Sequence, residues 1–374
     1  MQWDLFCEVV DNYGDAGVCW RLACGLARAG ASVRLWIDAP ALVGWMAPDG
    51  QAGVTVVDAS DPDAVRAAAA GHVPDVLVEA FGCDPAPALV ARFAAGIAAD
   101  GRPRPWINLE YLSAEPHVER LHTLPSPVFQ GPGAGLTKHF FYPGFTMATG
   151  GLLREPGLAA RRAAFDRAGW LAAHGIAWRG EHLVTLFCYE PRALPGLLAQ
   201  WASGPEPIRL LVTAGRAAPA VRGALAALGG DATGGLGALS IDFLPLLTQV
   251  GFDELLWTGD FNFVRGEDSL VRALWAGAPF AWQIYPQDDD AHHAKLDALL
   301  DAIAAPPSLR RFHAAWNAID ETPLAWPDAV ERAAWTVAAE AARTRLAAQD
   351  DLVTRLLAFT GAAGAAWPGP RETR

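Results

Sequence analysis

Short hydrophobic runs alternate with amphipathic segments along the first third of the chain. The runs are typical of buried strands, and they are WDLFCEVV (3–10), SVRLWID (32–38), GVTVVD (53–58), DVLVEAF (75–81) and WINLEYL (106–112). Segments with helical spacing, such as VCWRLACGLARAG (18–30), lie between them. Strands separated by roughly one helix each predict βα units around a parallel sheet.

A second alternating series begins after residue 157. Its predicted strands are HLVTLFCYE (182–190), IRLLVTAG (208–215), LSIDFLPLL (239–247), LWTGDFNFV (256–264) and PFAWQIYP (279–286). The stretch 113–157 is rich in Pro and Gly and predicts a long loop followed by a linker, whereas 291–360 predicts helices. We therefore expect an α/β protein with two doubly wound, Rossmann-like domains, 1–155 and 156–345. A helix in 346–374 is expected to pack back towards the first domain.

Composition narrows the class of protein. The 374 residues are 52% hydrophobic and 19% charged, which is typical of a folded globular chain, and the net charge of −12 argues against bulk nucleic-acid binding. The five cysteines show no CxxC spacing, and we interpret them as reduced and buried. The N-terminus lacks a signal-peptide pattern, and the chain has no run of 18 apolar residues. These features predict a cytoplasmic protein that is not inserted in a membrane.

The first candidate site is Asp11-Asn12-Tyr13-Gly14-Asp15, between the first strand and the first helix. Asn and Gly tolerate unusual backbone angles and let a ligand approach the main chain. Asp11 and Asp15 are four residues apart and can point to the same side of a turn that enters a helix. The alternative is structural, with Asp15 as a helix cap. The loop is not GxGxxG, so a dinucleotide fingerprint is absent.

The second candidate site is Arg265-Gly266-Glu267-Asp268-Ser269, which enters the predicted helix SLVRALWAG. A glycine before a helix start predicts a pyrophosphate seat that the helix dipole assists, with Arg265 adding charge. Ser269 is expected to donate one hydrogen bond to the diphosphate. Glu267 would be repelled by a phosphate and is expected to face sugar hydroxyls or a cation. The alternative is a plain helix cap.

A third group of residues could line a pocket for a flat base. Phe187 and Tyr189 end a strand of the second half, and Gln249, Phe252 and Phe261 could join them. The alternative is that these aromatic residues belong to the core. NLEYLSAE (108–115) and KHFFYPGF (138–145) resemble lining loops but carry no decisive chemistry.

Metal and nucleophile signals are poor. His292 and His293 are adjacent, and adjacent histidines on a helix diverge by about 100°, so they do not form a facial ligand pair. The chain contains no GxSxG motif and no convincing Cys/His pairing. We expect neither a metal nor a bound cofactor.

Several stretches together resemble the bacterial elongation factor P arginine rhamnosyltransferase family. They are WDLFCEVVDNYGDAGVCWRLA, VEAFGC, WINLEYLSAE, FFYPGF, LFCYE, FNFVRGEDSLVRALWAGAPFAWQIYPQ and DDDAHHAKL, and they span residues 3 to about 297. The resemblance implies a GT-B-like glycosyltransferase with two Rossmann-like domains facing a cleft and a helical C-terminal tail. It implies transfer of L-rhamnose from dTDP-β-L-rhamnose to an arginine of elongation factor P, with inversion, which activates that factor for relief of ribosome stalling at polyproline.

The resemblance also implies roles for the motif residues. The catalytic residues would be Asp15, Asp11 and Glu267. The substrate-binding residues would be Asn12, Tyr13, Gly14, Asp15, Phe187, Tyr189, Gln249, Phe252, Phe261, Arg265, Gly266, Glu267, Asp268 and Ser269. Elongation factor P would be the protein partner, with no role for nucleic acid or membrane.

Proton chemistry limits how such an arginine can react. The pKa of a guanidinium lies far above that of a free carboxylate, so deprotonation by Asp before bond formation would cost roughly 12 kcal/mol. A carboxylate is expected to hold the arginine first and to take its proton as the C–N bond forms. We expect Asp15 to be that base, with Asp11 and Glu267 orienting the acceptor.

Two other functions remain open from the sequence. One is a GT-B enzyme that uses another nucleotide sugar and a small acceptor. The other is a non-catalytic module that binds the translation factor.

Overall fold

The structure is a computed structural model that describes residues 1–10, 13–230, 235–285 and 291–366. Within these ranges the chain forms two compact units. The first contains residues 1–155 together with the chain from 349 onward, and the second contains residues 156–348.

The first unit is built on one seven-stranded sheet. Its strands are β1 (Gln2–Cys7), β2 (Ser32–Ile37), β3 (Val54–Asp58), β4 (Val76–Ala80), β5 (Trp106–Leu109), β6 (Pro125–Pro127) and β7 (Thr137–Phe141). They lie in the order β3-β2-β1-β4-β5-β7-β6, and β6 runs antiparallel to β7 at the edge. The order 3-2-1-4-5 of parallel strands is that of a Rossmann-like sheet.

The helices of the first unit cover this sheet. They are α1 (Gly14–Arg28), α2 (Pro40–Met46), α3 (Pro62–Ala70), α4 (Pro87–Asp100) and α5 (His117–Leu121). Leu22 and Leu26 of α1 are fully buried in one core cluster with Leu5 of β1. On a separate core cluster, Phe93 of α4 packs with Trp106 of β5.

The second unit repeats the same arrangement. Its strands are β8 (His182–Leu186), β9 (Ile208–Val212), β10 (Gly235–Leu236), β11 (Leu239–Phe243), β12 (Phe261–Arg265) and β13 (Phe280–Gln283). They lie in the order β10-β11-β9-β8-β12-β13, with β10 antiparallel at the edge. When β10 is left aside, this is again the order 3-2-1-4-5. The prediction of an α/β protein with two doubly wound halves is confirmed.

The helices of the second unit include the greater part of the predicted helical tail. They are α6 (Leu158–Ala163), α7 (Arg167–Ala173), α8 (Leu194–Ser203), α9 (Ala217–Ala227), α10 (Gln249–Thr258), α11 (Glu267–Ala276), α12 (Ala291–Ala302), α13 (Pro307–Trp316) and α14 (Ala329–Ala347). The last helix, α15 (Leu352–Ala366), lies in the first unit.

Helix α15 packs on α1 through a close approach. Leu352 and Leu356 are buried in the same core cluster as α1. A Cβ atom on Gly25 of α1 would lie 2.6 Å from Cγ2 of Val353, so only glycine permits this contact. The Leu352 backbone N–H also donates to the Leu152 carbonyl at 3.0 Å.

Two details differ from the sequence prediction. The stretch 113–157 is not one loop, because it contains α5, β6 and β7, and β7 extends the sheet beside β5. The predicted strand 256–264 begins later, at Phe261, because α10 continues to Thr258. An apolar stretch of this length fits a helix end as well as a strand start.

None of the helices in the described ranges has the length and hydropathy that a bilayer span requires. All five cysteines are free thiols, and Cys83 is the one that is not fully buried.

Candidate active site

The loop after β1 reaches α1 at Asp15, whereas Asp11 and Asn12 lie outside the described residues. Asp15 lies in the first turn of α1 and is 5% exposed. Its Oδ2 accepts a hydrogen bond of 2.9 Å from the backbone N–H of Val10. This bond joins the two ends of the loop and holds the carboxylate just beyond the carboxyl end of β1.

Tyr13 is the residue at the N-cap of α1, and Gly14 is the first helical residue. The structural alternative in which Asp15 caps the helix is therefore wrong. The Tyr13 ring packs edge-on against the ring of Trp45, with centroids 5.2 Å apart. Tyr13 thus anchors the helix start against α2, and Asp15 is left to a role other than capping.

Strand β1 lies between β2 and β4, where the strand order of the sheet reverses. In doubly wound sheets, ligands bind beyond the carboxyl ends of the strands at this point. The structure therefore places Asp15 where such a unit binds its ligand. The same edge carries the residues that follow β4 and β5.

An aromatic pair and a carboxylate lie at that edge. Phe81 follows β4 with φ of 59°, a conformation that is strained for a residue with a side chain. Its ring stacks on the ring of Tyr111, with centroids 4.6 Å apart. Glu110 is half-buried after β5, and burial raises its pKa even though the Asn108 amide donates to its Oε1 at 2.9 Å. The residue pattern of this stretch predicts no decisive chemistry, but its position after a parallel strand is a signal that it lies at the ligand-binding edge.

In the second unit, Arg265 is the central residue of the candidate donor site. It ends β12 and is 5% exposed. Its guanidinium carbon lies 4.3 Å from the Tyr189 ring centroid and 4.8 Å from that of Phe187. Its Nη1 is buried and has no hydrogen-bond partner within the described part of the chain. A buried cationic nitrogen of this kind favours binding of an anion.

Aromatic residues from the segment after β8 and from α10 lie on this side of the guanidinium. Phe187 and Tyr189 follow β8, the strand next to β12. Phe252 of α10 packs edge-on against Phe187, with centroids 5.3 Å apart. Gln249 is the first residue of α10 and lies one turn before Phe252, on the same helix face. The structure thus stacks Phe187 and Tyr189 on Arg265 and packs Phe252 against Phe187.

A buried ion pair aligns the two helices that carry these residues. Arg272 of α11 and Asp253 of α10 form a bidentate pair with both contacts at 2.7 Å, and both side chains are 1% exposed. Breaking a buried pair of this kind leaves an uncompensated charge, which costs several kcal/mol. The starts of α10 and α11 are therefore fixed relative to each other.

The start of α11 has the geometry of an anion seat. Gly266 is the N-cap, with φ of 69° and ψ of 177°, a region that only glycine adopts readily. Gly266 has no side chain that could cap the first turn, and the dipole of the helix is positive at this end. The Trp282 Nε1 donates to the Gly266 carbonyl at 3.1 Å and fixes the loop from β13.

Ser269 closes this loop from within. Its Oγ accepts from the Arg265 backbone N–H at 3.1 Å and donates to the Arg265 carbonyl through a short hydrogen bond. A hydroxyl has one hydrogen, so in this conformation Ser269 has none to donate to a diphosphate. The predicted hydrogen bond to the diphosphate requires the hydroxyl to rotate and stays a prediction, whereas in this conformation Ser269 shapes the loop that presents Arg265.

Glu267 and Asp268 form the acidic first turn of α11. Lys295 of α12 contacts the Glu267 carboxylate, with Nζ 3.0 Å from Oε1. Glu267 is predicted to face either sugar hydroxyls or a cation, and in the structure it contacts the cation of Lys295. Lys295 received no role from the sequence.

Phe261 does not belong to this group. It starts β12, whereas Arg265 ends it, so the two residues lie at opposite edges of the sheet. Phe261 is fully buried against Phe312 and Trp335, with centroids 5.6 and 6.0 Å away. It also borders a polar pocket of about 540 Å³ at the amino edge of the sheet. The structure corrects the prediction that Phe261 lies beside a base. The strand was predicted from residue 256, which put Phe261 in its middle, whereas Phe261 is the first residue of β12.

Three further residues support Tyr189 and were missed. The Gln283 Oε1, at the end of β13, accepts from the Tyr189 backbone N–H at 2.8 Å. Arg216 lies over the Tyr189 ring at 5.1 Å and pairs with Glu190 at 2.5 Å. Tyr285 packs edge-on at 5.7 Å. Each lies at or after the carboxyl end of a parallel strand, which is again the signal that could have found them.

The described residues contain no cluster of three or more His, Cys, Asp or Glu side chains that could hold a metal ion. The rings of His292 and His293 lie 4.3 Å apart at an interplanar angle of 67°. The candidate site residues of the two units differ in their chemistry. The first holds a buried carboxylate at a ligand-binding edge, and the second holds a stacked arginine at a helix start.

Comparison with known proteins shows which family the chain resembles. The model of the family "Elongation-Factor P (EF-P) rhamnosyltransferase EarP" matches residues 3–361. A protein-arginine rhamnosyltransferase of Pseudomonas aeruginosa is 41% identical, over 96% of this chain and 98% of that protein. One of Pseudomonas putida is 43% identical, over 96% of this chain and 98% of its own length.

A solved structure is similar over nearly the whole chain. It is described as "Structural basis for EarP-mediated arginine glycosylation of translation elongation factor EF-P", and it is 31% identical with a TM-score of 0.63. The match covers 96% of this chain and 99% of that one. The expected GT-B-like glycosyltransferase fold is thereby confirmed. The chain belongs to the elongation factor P (EF-P) rhamnosyltransferase family.

Proposed function

We propose that the chain transfers L-rhamnose from dTDP-β-L-rhamnose to an arginine side chain of EF-P, with inversion at the anomeric carbon. The similar proteins are named protein-arginine rhamnosyltransferases, and the similar structure concerns arginine glycosylation of EF-P. The structural observation that carries the donor half of this proposal is the buried Arg265, stacked on Tyr189 with Nη1 unpartnered among the described residues.

The donor fits the second unit by charge and shape. A nucleotide base is flat, and Phe187, Phe252 and Tyr189 supply aromatic faces and edges beside the helix start. The diphosphate is an anion, and Arg265 together with the amino end of α11 supplies positive potential for it. This potential also stabilises the departing dTDP, so we propose that the reaction needs no metal ion.

The acceptor fits the carboxylates of the first unit. Asp15 is held by the Val10 backbone N–H, so its carboxylate is oriented before the acceptor arrives. We assign Asp15 as the base, and Asp11, which lies outside the described residues, stays a prediction from the sequence as an orienting group. Carboxylates bind guanidinium in bidentate fashion and concentrate its charge on the bound nitrogens.

The chemical step joins an arginine nitrogen to the anomeric carbon. The nitrogen attacks as the bond from that carbon to the dTDP oxygen breaks, and the oxygen takes the electron pair. The nitrogen becomes acidic as it forms the new bond, and Asp15 then accepts its proton. Backside attack with a single displacement inverts the configuration. This order avoids the cost of about 12 kcal/mol for removing the proton first.

Residues at the same edge of the sheet as Asp15 suit a basic acceptor. Glu110 carries a half-buried carboxylate whose raised pKa reflects the cost of burying its charge, and a cationic partner would offset that cost. The stacked rings of Phe81 and Tyr111 offer a π face to a cation. We propose that this edge contacts the EF-P segment around the acceptor arginine.

A donor panel tests the proposal. The full-length chain is incubated with EF-P and, in separate reactions, dTDP-rhamnose, UDP-glucose and UDP-N-acetylglucosamine, and the intact mass of EF-P is measured. We expect a mass gain of one deoxyhexose with dTDP-rhamnose alone. A transfer from a UDP-sugar to a small acceptor, with EF-P unmodified, would support the alternative glycosyltransferase instead. Binding of EF-P without turnover would support the non-catalytic module.

We also propose that the reaction takes place in the cytoplasm. The five free thiols are consistent with a reducing compartment.

A further inference from the structure

An ion pair joins the starts of two helices in the second unit. Lys295 lies in the second turn of α12, and Glu267 is the first residue of α11. Their Nζ and Oε1 atoms are 3.0 Å apart, and the two side chains are 26% and 17% exposed. The pair is therefore largely shielded from water, and its attraction is stronger than that of a fully exposed pair.

The Glu267–Lys295 pair lies beside the proposed diphosphate site, where the phosphates repel a carboxylate. Glu267 and Asp268 place two carboxylates in the first turn of the helix where we propose that the diphosphate binds. Carboxylates at a helix start stabilise the helix, but they repel a nearby phosphate. Without the Lys295 contact, we expect the Glu267 side chain to rotate away when the donor binds. Lys295 supplies the cation that holds the carboxylate in place against this repulsion.

The neighbouring contacts show that this edge of the sheet is fixed as one piece. Strands β12 and β13 are adjacent, and the Trp282 Nε1 of β13 donates to the Gly266 carbonyl at the start of α11. Helix α12, which carries Lys295, is the helix that follows β13 in the chain. Lys295 and Trp282 therefore fix the same loop, one through the side chain of Glu267 and one through the main chain.

We infer that Lys295 is a positioning residue for rhamnosyl transfer, which acts by holding the Glu267 carboxylate in place beside the bound donor. The inference rests on the proposed function, because it takes Glu267 as an orienting group of that reaction. Lys295 acts on the catalytic rate through Glu267 and does not bind the diphosphate itself. This separates it from Arg265, whose partner is the anion.

A double-mutant cycle tests this role. The variants are Lys295→Met, Glu267→Gln and the two combined, measured for kcat and KM with EF-P and dTDP-rhamnose and for the Kd of dTDP. We expect Lys295→Met to lower kcat at least tenfold and to change the Kd of dTDP less than threefold. In the Glu267→Gln background, Lys295→Met should change kcat less than twofold, because the carboxylate through which Lys295 acts on the rate is already removed. Lys295→Arg keeps the charge, so it should retain most of the kcat of the unmodified chain.

A matched control separates positioning from simple loss of an ion pair. Arg332 pairs with Glu206 at 2.8 Å, with side chains 16% and 40% exposed, and it borders the pocket at the opposite edge of the sheet. Arg332→Met removes a partly buried ion pair away from the start of α11 and should leave kcat within twofold of the unmodified chain.

The outcomes are distinct. An unchanged kcat for Lys295→Met, in a preparation whose unmodified chain modifies EF-P, overturns the inference and leaves the proposed function standing. A tenfold weaker Kd of dTDP, or equal rate losses in both Glu267 backgrounds, also overturns it, because Lys295 would then contact the donor directly. If the unmodified chain leaves EF-P unmodified, the proposed function itself has failed.

Discussion

The guanidinium of Arg265 lies 4.3 Å from the centre of the Tyr189 ring, and Nη1 of that guanidinium has no hydrogen-bond partner among the described residues. The two residues come from the ends of neighbouring strands in the second unit, β12 and the segment after β8. Stacking fixes the plane of the guanidinium, and Nη1 can donate a hydrogen bond to an incoming anion. A site prepared in this way holds its donor without rearranging the arginine.

The planar shape of Arg265 should matter as much as its charge. Lysine keeps the charge but loses the flat surface and the fork of donors, so we expect Arg265→Lys to weaken dTDP binding at least tenfold. Isothermal calorimetry with dTDP measures this. The control is Arg222→Lys. Arg222 also lies over an aromatic ring, that of Phe243 at 4.1 Å, but it is solvent-exposed and belongs to α9, outside the loop between β12 and α11. Equal dissociation constants for Arg265→Lys and the unmodified chain would remove Arg265 from the donor seat.

Asp15 should affect the rate far more than the binding of the donor. An amide oxygen can still accept from the Val10 backbone N–H, so Asp15→Asn should keep the loop while losing the base. We expect kcat to fall at least a hundredfold and the Kd of dTDP to change less than threefold. Single-turnover transfer to EF-P and dTDP calorimetry measure the two quantities.

Asp38 provides a matched control for this substitution. Its Oδ1 accepts from the backbone N–H of Val9 at 3.0 Å, the residue before Val10. Asp38→Asn therefore changes a carboxylate that contacts the same loop, and transfer should stay within threefold of normal. Comparable losses in both variants would mean that the effect comes from loop structure and that Asp15 is not the base.

His313 should make the second unit less stable in mild acid. It is fully buried, and its Nε2 accepts from the Trp282 backbone N–H at 3.1 Å while Nδ1 lies 3.0 Å from the Leu309 carbonyl. Burial lowers the pKa of His313 to about 4 from 6.5. The unfolded chain therefore binds more protons than the folded one between these values. The stabilisation is complete above pH 6.5 and is lost as the pH falls towards and through about 4.

The variant His313→Gln tests this pH dependence. Glutamine does not titrate, so its free energy of unfolding should lack this contribution, which amounts to about 2 kcal/mol between pH 7 and pH 5. Urea unfolding at the two pH values measures the difference. The destabilisation caused by His313→Gln should be larger at pH 7 than at pH 5. The same destabilisation at both pH values would show that His313 titrates normally in the folded protein.

The fold was predictable from the sequence because its strands are short apolar runs between helical segments. The run WDLFC became β1, and the predicted helix after it became α1. Strand β7 was missed because its segment TKHFF has few branched residues and lies among Pro and Gly. It exists because it pairs with β5 over four residues, and pairing at a distance is not visible in a local pattern.

The candidate site was predictable where a role depends on a position in the chain. Gly266 precedes a predicted helix, and in the structure it is the N-cap of α11. Side-chain partners were not predictable. The hydroxyl of Ser269 turned inward to Arg265, and Lys295 reached Glu267 from 28 residues away. Contacts of this kind depend on how neighbouring strands place the helices that follow them.

The identity of the modified atom tests the central claim most directly. EF-P is incubated with the full-length chain and dTDP-rhamnose, and tandem fragmentation by electron transfer locates the added sugar. We expect one deoxyhexose on the guanidinium of a single arginine, and none when Asp15→Asn replaces the unmodified chain for the same time. A sugar on a serine or threonine hydroxyl, or an EF-P that stays unmodified, would contradict the account.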